Sequence, residues 1–334
     1  MRQAITGFVQ DEEGDWVAEL ACGHRQHVRH KPPWLERPWV VKEASRATML
    51  GAPLECPLCN REEAVSALPS RLQSVHQRMA RAAHAAGRDP ADIRLLPISK
   101  TQPAETLRQA HHAGLRRFGE NKVQELCGKA ETLHDLDLDW VLVGHLQSNK
   151  VKQVVAHCAE FQALDSLKLA AALDRRLQQA GRTLDVLVQV NTSGETSKYG
   201  VAPDALLAFA RELPHFSALR VRGLMTLAHF SATEAVVRPC FRRLREWRDV
   251  LRQQGPPDLC WDELSMGMSG DFEWAIAEGS TTVRVGQALF GPRRTPDSHY
   301  WPDPQRSGST HAHEGSGNAD PHGDSSSGVK RPAG

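Results

Sequence analysis

Short apolar runs alternate with amphipathic stretches through the middle of the chain, from about residue 67 to residue 294. The run Asp185–Asn191 is almost continuously apolar, as expected for a parallel strand covered on both faces. Stretches such as Thr101–Ala113, Ser166–Ala180 and Val201–Leu213 instead carry apolar residues at helical spacing. The pattern predicts strands at Ile93–Ser99, Arg116–Gly119, Trp140–Gly144, Phe161–Leu164, Leu184–Asn191, Leu219–Leu227, Trp261–Met266 and Thr282–Gly286.

This alternation predicts an α/β fold of the (β/α)₈ barrel type. Eight strand–helix units within roughly 230 residues are what such a barrel requires. An open, doubly wound sheet is the alternative, because periodicity does not reveal whether a sheet closes. A further helix is predicted at Leu68–Gly87, ahead of the first strand.

Two regions of different amino-acid composition flank the predicted barrel. Residues 1–64 are rich in Trp, His and Pro and contain three clustered cysteines, so we expect a small Cys/His domain. Residues 295–334 are rich in Gly, Ser, Pro and His, with little to bury, so we expect a disordered tail. The predicted organisation is therefore residues 1–64, a barrel at residues 67–294, and the tail.

Composition narrows the function classes. Lys+Arg number 41 against 40 Asp+Glu in 334 residues, so no net field favours nucleic acid or a membrane surface. No apolar leader or bilayer-length run is present, so neither secretion nor a membrane span is expected. The seven cysteines are odd in number and do not suggest a disulfide framework, which favours a reducing cytoplasm.

The chemistry of a barrel lies at the C-terminal ends of its strands. Lys100 ends the first predicted strand, where a solvated charge is the simpler interpretation. Ser265–Asp271 (SMGMSGD), at the seventh strand, and Arg284 with Gly286, at the eighth, have the composition of a phosphate site. A lysine opposite a phosphate cradle suggests an aldehyde phosphate held as a Schiff base, and pyridoxal 5′-phosphate (PLP) fits both halves.

The N-terminal region carries a candidate metal site. Cys56 and Cys59 have C-x-x-C spacing, and Cys22 with His24 or His27 could complete a tetrahedron around Zn²⁺. A region of ~60 residues would gain stability from a structural metal. We predict Cys22, His24, Cys56 and Cys59 as the ligands, with solvated thiols or a redox pair as alternatives.

Seven motifs, in matching order at nearly every strand end, resemble the YggS/PROSC family of pyridoxal phosphate homeostasis proteins over about residues 67–294. The motifs are Pro97-Ile-Ser-Lys-Thr-Gln-Pro103, Arg117-Phe-Gly-Glu-Asn-Lys-Val-Gln-Glu125, Gly144-His-Leu-Gln-Ser-Asn-Lys150, Val188-Gln-Val-Asn-Thr-Ser193 with Ser197-Lys198, Arg222-Gly-Leu-Met225, Leu264-Ser-Met-Gly-Met-Ser269 with Asp271, and Val283-Arg-Val-Gly286 with Leu289-Phe-Gly291.

The resemblance implies a PLP-binding barrel similar to the N-terminal domain of alanine racemase. It also implies a role in intracellular PLP and amino-acid balance, without established turnover. The site it implies consists of Lys100 as the Schiff-base lysine, Ser265, Ser269 and Gly286 at the phosphate, Arg284 at the pyridine nitrogen and Asn121 beside the ring.

We expect a PLP carrier and not an enzyme. The Arg284 guanidinium would keep the pyridine nitrogen unprotonated, which makes the ring a poorer electron sink. Racemases of this fold class also use a tyrosine base from a second domain, whereas Tyr199 lies in a loop, Tyr300 lies in the tail, and no second domain follows Gly291. A racemase-type PLP enzyme is the alternative, and a barrel aldolase using Lys100 without PLP is a weaker one.

The expected partners are PLP itself and the apo-forms of PLP-dependent enzymes as recipients, and the expected state is a monomer. The segment Cys22–Trp34 (CGHRQHVRHKPPW) resembles a small bacterial domain family with no assigned activity. That second resemblance implies a domain boundary near residue 66, and the N-terminal region could be a fused partner-binding module.

Overall fold

The computed structural model of the protein describes residues 1–30, 37–59 and 67–291. The tail predicted for residues 295–334 lies outside the described residues. The strands are β1 (Arg2–Gln10), β2 (Trp16–Leu20), β3 (Arg25–His27), β4 (Pro53–Glu55), β5 (Arg94–Pro97), β6 (Arg117–Glu120), β7 (Asp139–Leu142), β8 (Cys158–Leu164), β9 (Leu184–Gln189), β10 (Leu219–Met225), β11 (Glu263–Ser265) and β12 (Thr282–Val285).

The helices alternate with the strands from residue 68 onward. They are α1 (Glu43–Ala47), α2 (Leu68–Ala85), α3 (Ala104–His112), α4 (Val123–Thr132), α5 (Val151–His157), α6 (Leu167–Gln179), α7 (Leu206–Glu212), α8 (Glu234–Gln254), α9 (Phe272–Ala277) and α10 (Gln287–Phe290). Single 3₁₀ turns lie at Pro38–Val40, Pro90–Asp92, Ser148–Lys150, Pro203–Ala205 and Leu213–His215. No helix in the described ranges has the length and apolar character needed to cross a bilayer.

Strands β5 to β12 form one parallel sheet that closes on itself. Each strand pairs with the next in sequence from β6 to β12, and β12 pairs with β5. The circle closes through a parallel bridge between Ile98 and Gly119, where the Ser99 amide donates to the Gly119 carbonyl at 3.0 Å. The predicted barrel is confirmed, and closure excludes the open doubly wound sheet.

Amphipathic helices cover the outside of this barrel. In α6, the side chains of Leu169, Leu173 and Leu177 are buried against the strands, and Ser166 caps the first turn by accepting from the Leu169 amide. The extra helix α2 packs beside α9, with Arg78 Nε 2.6 Å from the carboxylate of Glu273. The described barrel residues share one hydrophobic core.

The predicted element boundaries differ from the structure where polar residues serve the barrel. Strand β8 begins at Cys158, three residues before its predicted start, because Glu160 points its buried side chain at arginines inside the barrel. The helix predicted at Val201–Leu213 forms only as α7, since Val201 pairs with Val190 as an isolated bridge.

The N-terminal residues form a separate antiparallel sheet, in the order β3-β2-β1-β4. Strand β1 is central, because Ile5 pairs with Leu20 on β2 and Arg2 pairs with Glu55 on β4. The buried residues of this sheet form their own small cluster, which consists of Ile5, Ala18, Leu20, Val28, Val40, Cys56 and Cys59.

Gly223 is required by the close approach of β10 to β11. Its φ is +156°, and a Cβ at this position would lie 1.9 Å from the carbonyl oxygen of Glu263. We expect Gly223→Ala to lower the free energy of unfolding by about 3 kcal/mol or more, since two paired strands would have to separate. Urea denaturation measures the change.

Gly128 provides the matched control. It is exposed within α4, and a Cβ there would meet nothing within 4 Å. Gly128→Ala should leave stability unchanged or raise it by up to about 1 kcal/mol through helix propensity. Equal stability of the two alanine variants would contradict the steric argument.

Candidate functional site

Barrel closure places Lys100 between two groups of predicted site residues. The strand that leads to it, β5, pairs with β12 on one side and meets β6 on the other. Arg284 and Gly286 therefore come from one neighbour, and Asn121 follows the end of the other. The sequence analysis placed Lys100 opposite the whole phosphate cradle. This was wrong for the part of the cradle on β12, because the first and eighth strands of a closed barrel are adjacent.

The backbone at Lys100 forms a tight turn. The Gln102 amide donates to the Ser99 carbonyl at 2.9 Å, so Lys100 and Thr101 are the two central residues. Thr101 has a φ of +65°, and it is the sole non-glycine residue with a positive φ in the described ranges. A left-handed β-branched residue costs on the order of 1–3 kcal/mol and persists only where surrounding contacts enforce it.

A buried ion-pair network enforces this turn. Lys129, on α4, donates through Nζ to the Ser99 carbonyl at 2.6 Å, to Glu120 Oε1 at 2.6 Å and to Glu125 Oε1 at 2.7 Å. Glu125 in turn accepts from the Thr101 amide at 2.5 Å. The residues on both sides of Lys100 are thus bound to Lys129, directly or through one carboxylate.

Glu120 is the most buried member of this network. Its side chain is fully buried and accepts from the Ser99 hydroxyl at 2.6 Å. Burial raises the pKa of Glu120 to about 7, against the attraction of Lys129. Glu120, Glu125 and Lys129 were not predicted as functional, although the Glu125–Lys129 spacing of four residues on a helix was a readable signal.

Arg284 lies inside the barrel and is only 3% exposed. Its Nη1 donates to the Ser265 hydroxyl and its Nη2 to the Thr226 carbonyl, both at 2.7 Å. Among the described residues no carboxylate forms an ion pair with it, and Asp271 acts only at longer range. Burial lowers the pKa of Arg284 to about 10, so the guanidinium still carries its charge at neutral pH.

A line of hydrogen bonds runs from Arg284 through the barrel interior. The Ser265 hydroxyl donates to Gln162 Oε1 at 2.7 Å, and Gln162 Nε2 donates to Glu160 Oε1 at 2.5 Å. Glu160 also lies 3.2 Å from Arg94 Nη2, and its other arginine partner is Arg117 at 2.8 Å. We refer to this line, from Arg284 to Arg94 and Arg117, as the polar column.

The polar column shows a structural role for Ser265 that the sequence did not predict. Its hydroxyl accepts from Arg284 and donates to Gln162, so it holds the guanidinium in place. A contact between Ser265 and phosphate stays a prediction. Gln162 was also missed, although it is the single polar residue of the predicted strand Phe161–Leu164.

Ser269 and Gly286 meet at the mouth. The Ser269 hydroxyl accepts from the Ala288 amide at 3.2 Å, at the start of α10, directly after Gly286. A Cβ at Gly286 would lie 3.1 Å from the Ile98 carbonyl, so a side chain there would close the gap beside the strand that leads to Lys100. Gly286 therefore adjoins the segment that leads to Lys100, and Ser269 contacts the chain two residues beyond Gly286.

Asn121 is half-buried on the other side of the mouth. A Cβ on Gly144 would lie 2.1 Å from the Asn121 carbonyl oxygen, so the absence of a side chain at residue 144 allows the two chain segments to touch. Tyr199 is 57% exposed and stacks on the ring of His145, with 3.9 Å between ring centroids. Tyr300 lies outside the described residues.

The predicted metal ligands are also brought together, in the N-terminal sheet. One donor atom from each of Cys22, His24, Cys56 and Cys59 lies within 4.8 Å of the others. The alternative ligand His27 instead pairs with Asp11, with its Nδ1 3.3 Å from the carboxylate.

Comparison with known proteins divides the chain between two family models. Residues 71–294 match the model described as alanine racemase, N-terminal domain. Residues 6–63 match the model described as protein of unknown function DUF3565.

Curated relatives match the barrel part of the chain. A pyridoxal phosphate homeostasis protein of Pseudomonas aeruginosa is 45% identical over 229 residues, which cover 69% of this chain and 97% of that protein. Its counterpart in Aquifex aeolicus is 42% identical over 227 residues, covering 67% and 97%. This chain belongs to the family of pyridoxal phosphate homeostasis proteins.

A solved structure of a further relative extends the comparison. PipY of Synechococcus elongatus PCC7942, with PLP bound, is 38% identical and superposes with a TM-score of 0.60. The match covers 67% of this chain and 100% of PipY. The barrel of this chain therefore corresponds to nearly the whole length of these relatives. The N-terminal residues form an additional region.

The contacts of Lys129 predict its importance for stability. Lys129→Met removes the cation from three oxygens and leaves Glu120 buried without it. We expect the free energy of unfolding to fall by about 3 kcal/mol, because a buried carboxylate loses its partner. Urea denaturation of the ligand-free protein measures this change.

Lys152→Met is the control, since Lys152 is exposed on α5. It should change the stability by less than about 0.5 kcal/mol. A loss at Lys129 no larger than that at Lys152 would show that the network does not hold the turn.

Proposed function

We propose that this chain binds PLP at the C-terminal mouth of its barrel and takes part in intracellular PLP homeostasis. Membership of the homeostasis family and the PLP-containing structure of PipY support the proposal. The observation that carries it is the buried guanidinium of Arg284, whose hydrogen-bond partners are a hydroxyl and a carbonyl. A buried cation of this kind favours a ligand that offers an acceptor and negative charge.

The residues at the mouth suit the parts of PLP. Lys100 would hold the aldehyde carbon through its ε-amine, and Asn121 would lie beside the ring. Ser269 and Gly286 would bind the phosphate, and the lack of a side chain at residue 286 avoids a close contact with the Ile98 carbonyl on the adjoining strand segment. Ser265 would act mainly by fixing Arg284, with a phosphate contact as the finer prediction.

Arg284 would face the pyridine nitrogen of the bound cofactor. PLP supplies an electron sink whose strength depends on protonation of that nitrogen. Arg284 remains protonated at neutral pH, with its pKa at about 10, so it can donate a hydrogen bond but has no acceptor to offer. It would therefore keep the nitrogen unprotonated and weaken the sink.

We propose a carrier and not a racemase. Racemisation at a lysine-bound cofactor requires a second base on the opposite face of the substrate. Tyr199 is the described tyrosine near the mouth, but its ring is exposed and stacked on His145. Both the weakened sink and the placement of this tyrosine favour binding without turnover.

We also propose the setting in which the protein works. Seven cysteines without a disulfide among the described residues favour the reducing cytoplasm. The near-zero net charge offers no attraction to nucleic acid. The apo-forms of PLP-dependent enzymes would receive PLP from this protein. The working state would be a monomer, and a dimer seen by light scattering at micromolar concentration would refute that state.

Lys100→Ala tests the covalent anchor. We expect wild type saturated with PLP to show the visible absorption of a lysine-bound cofactor, and the variant to lose it together with most retained PLP, on the order of tenfold. Borohydride reduction of the wild type followed by peptide mass analysis should place the adduct on Lys100.

Lys150→Ala is the matched control, because Lys150 also follows a barrel strand, in the turn Ser148–Lys150. It should retain the absorption. No visible band in saturated wild type, or an unchanged band in Lys100→Ala, would reject the proposal. Robust alanine racemase activity of the purified protein would instead leave PLP binding intact and overturn the carrier role.

Removal of residues 1–64 tests the proposed division into a Cys/His domain and a barrel at residues 67–294. The two regions have separate hydrophobic clusters, so the shortened chain should fold and bind PLP with an affinity within about twofold of the full chain. Titration followed by absorbance gives the affinity. Loss of PLP binding by a folded, shortened chain would show that the domains are not separable.

A further inference from the structure

A cluster of three thiols and one imidazole lies at one end of the N-terminal sheet. The sulfurs of Cys22 and Cys56 are 3.7 Å apart. The Nδ1 atom of His24 is 3.5 Å from the sulfur of Cys56 and 3.4 Å from that of Cys59. All four donor atoms lie within 4.8 Å of one another, so they form one cluster.

These separations match the edges of a zinc tetrahedron. With Zn–S bonds of about 2.3 Å and Zn–N bonds of about 2.0–2.1 Å, tetrahedral geometry places two sulfurs about 3.8 Å apart and a sulfur and a nitrogen about 3.6 Å apart. The three distances above fall within about 0.2 Å of these values. A disulfide between any two of the cysteines would instead require about 2.0 Å between the sulfurs.

We propose that the N-terminal region binds one Zn²⁺ through Cys22, His24, Cys56 and Cys59. Three soft thiolates and an imidazole in tetrahedral array favour zinc over the hard, oxygen-seeking cations. Four protein ligands leave no coordination position for water or substrate, so the site is structural and not catalytic.

The sheet explains how ligands so distant in sequence meet. Cys22 and His24 lie in the turn between β2 and β3, where Gly23 has a φ of +80°. Cys56 and Cys59 follow β4 directly. Strand β1 binds both parts, since Ala4 accepts from the Ala21 amide at 2.9 Å and Met1 accepts from the Cys56 amide at 3.0 Å.

The surroundings of the sulfurs suit thiolate ligands. Cys56 is 1% exposed and Cys59 is 8% exposed, so solvent would not stabilise a thiolate on either, and a bound cation would have to do so. The Cys59 amide points at the Cys56 sulfur at 3.4 Å, and the Gln3 side-chain amide at the Cys59 sulfur at 3.9 Å. N–H groups directed at metal-bound sulfur are the usual second layer of such a site.

The metal would supply stability that the small apolar core lacks. Besides the two cysteines, the described core of this sheet contains five buried side chains, namely Ile5, Ala18, Leu20, Val28 and Val40. Domains of this size commonly depend on a metal or a disulfide. Zinc that links the β2–β3 turn to the end of β4 would hold both edges of β1 at once.

Metal analysis of the full-length chain tests the proposal. We expect about one zinc per chain after exhaustive dialysis, and at least about a tenfold loss of zinc in Cys56→Ser and in His24→Ala. Cobalt substituted for zinc should give the intense visible bands and sulfur-to-metal charge transfer of a tetrahedral, thiolate-rich site.

Two kinds of control keep the test decisive. Cys127→Ser and Cys260→Ser, which change thiols of the barrel region, should keep the full zinc content. His24→Cys should also keep it, since four thiolates form an equally good site, and this variant separates loss of a ligand from a general folding defect.

Zinc-free protein from zinc-supplemented cells would overturn the proposal. So would a zinc content that His24→Ala and Cys56→Ser do not change, because the metal would then be adventitious. A reversible disulfide between Cys56 and Cys59 in zinc-free, folded protein would assign the pair to redox chemistry.

Discussion

The burial of one positive charge constrains the interior of this barrel. Arg284 is enclosed, and its bonded partners are the neutral oxygens of Ser265 and Thr226. A guanidinium in that environment needs its hydrogen bonds satisfied and a source of negative charge nearby. The hydrogen bonds of Arg284 continue through the Ser265 hydroxyl and the Gln162 amide to Glu160. Asp271 supplies negative charge at longer range, and a ligand at the mouth would add a further acceptor.

Lys100, just beyond the end of the neighbouring strand β5, is held by its backbone. Lys129 and Glu125 fix the residues on either side of it, and the left-handed Thr101 is the conformational cost of that arrangement. Order that exists before a ligand arrives does not have to be created by binding. The strand order adds to this, since the segments carrying Asn121 and Gly286 are direct neighbours of the Lys100 segment.

Sequence reasoning predicted the repeat well, because strands covered on both faces leave continuous apolar runs and their helices leave a separate period. Sequence reasoning failed at Glu160. This residue is polar but buried inside the barrel, so the predicted strand began too late, at Phe161 and not at Cys158. The same reasoning also missed the contact between Glu120 on β6 and Lys129 on α4, which joins two different elements. Periodicity describes which face is apolar, whereas a buried ion pair is a property of three-dimensional neighbours. For the proposed metal site the sequence already favoured His24 over His27, and in the structure His24 lies 3.5 Å from the Cys56 sulfur whereas His27 pairs with Asp11.

The polar column has a consequence for how sequence variation in this family should be interpreted. Its far end, at Arg94 and Arg117, lies at the beginnings of β5 and β6, whereas the mouth lies at the strand ends. Beginnings of barrel strands are ordinarily assigned to stability and strand ends to function. Here the two ends share one run of donors and acceptors, each of which sets the orientation of the next. A substitution at the far end, at Arg94 or Arg117, would therefore present as a defect in ligand recognition at a distance from the ligand.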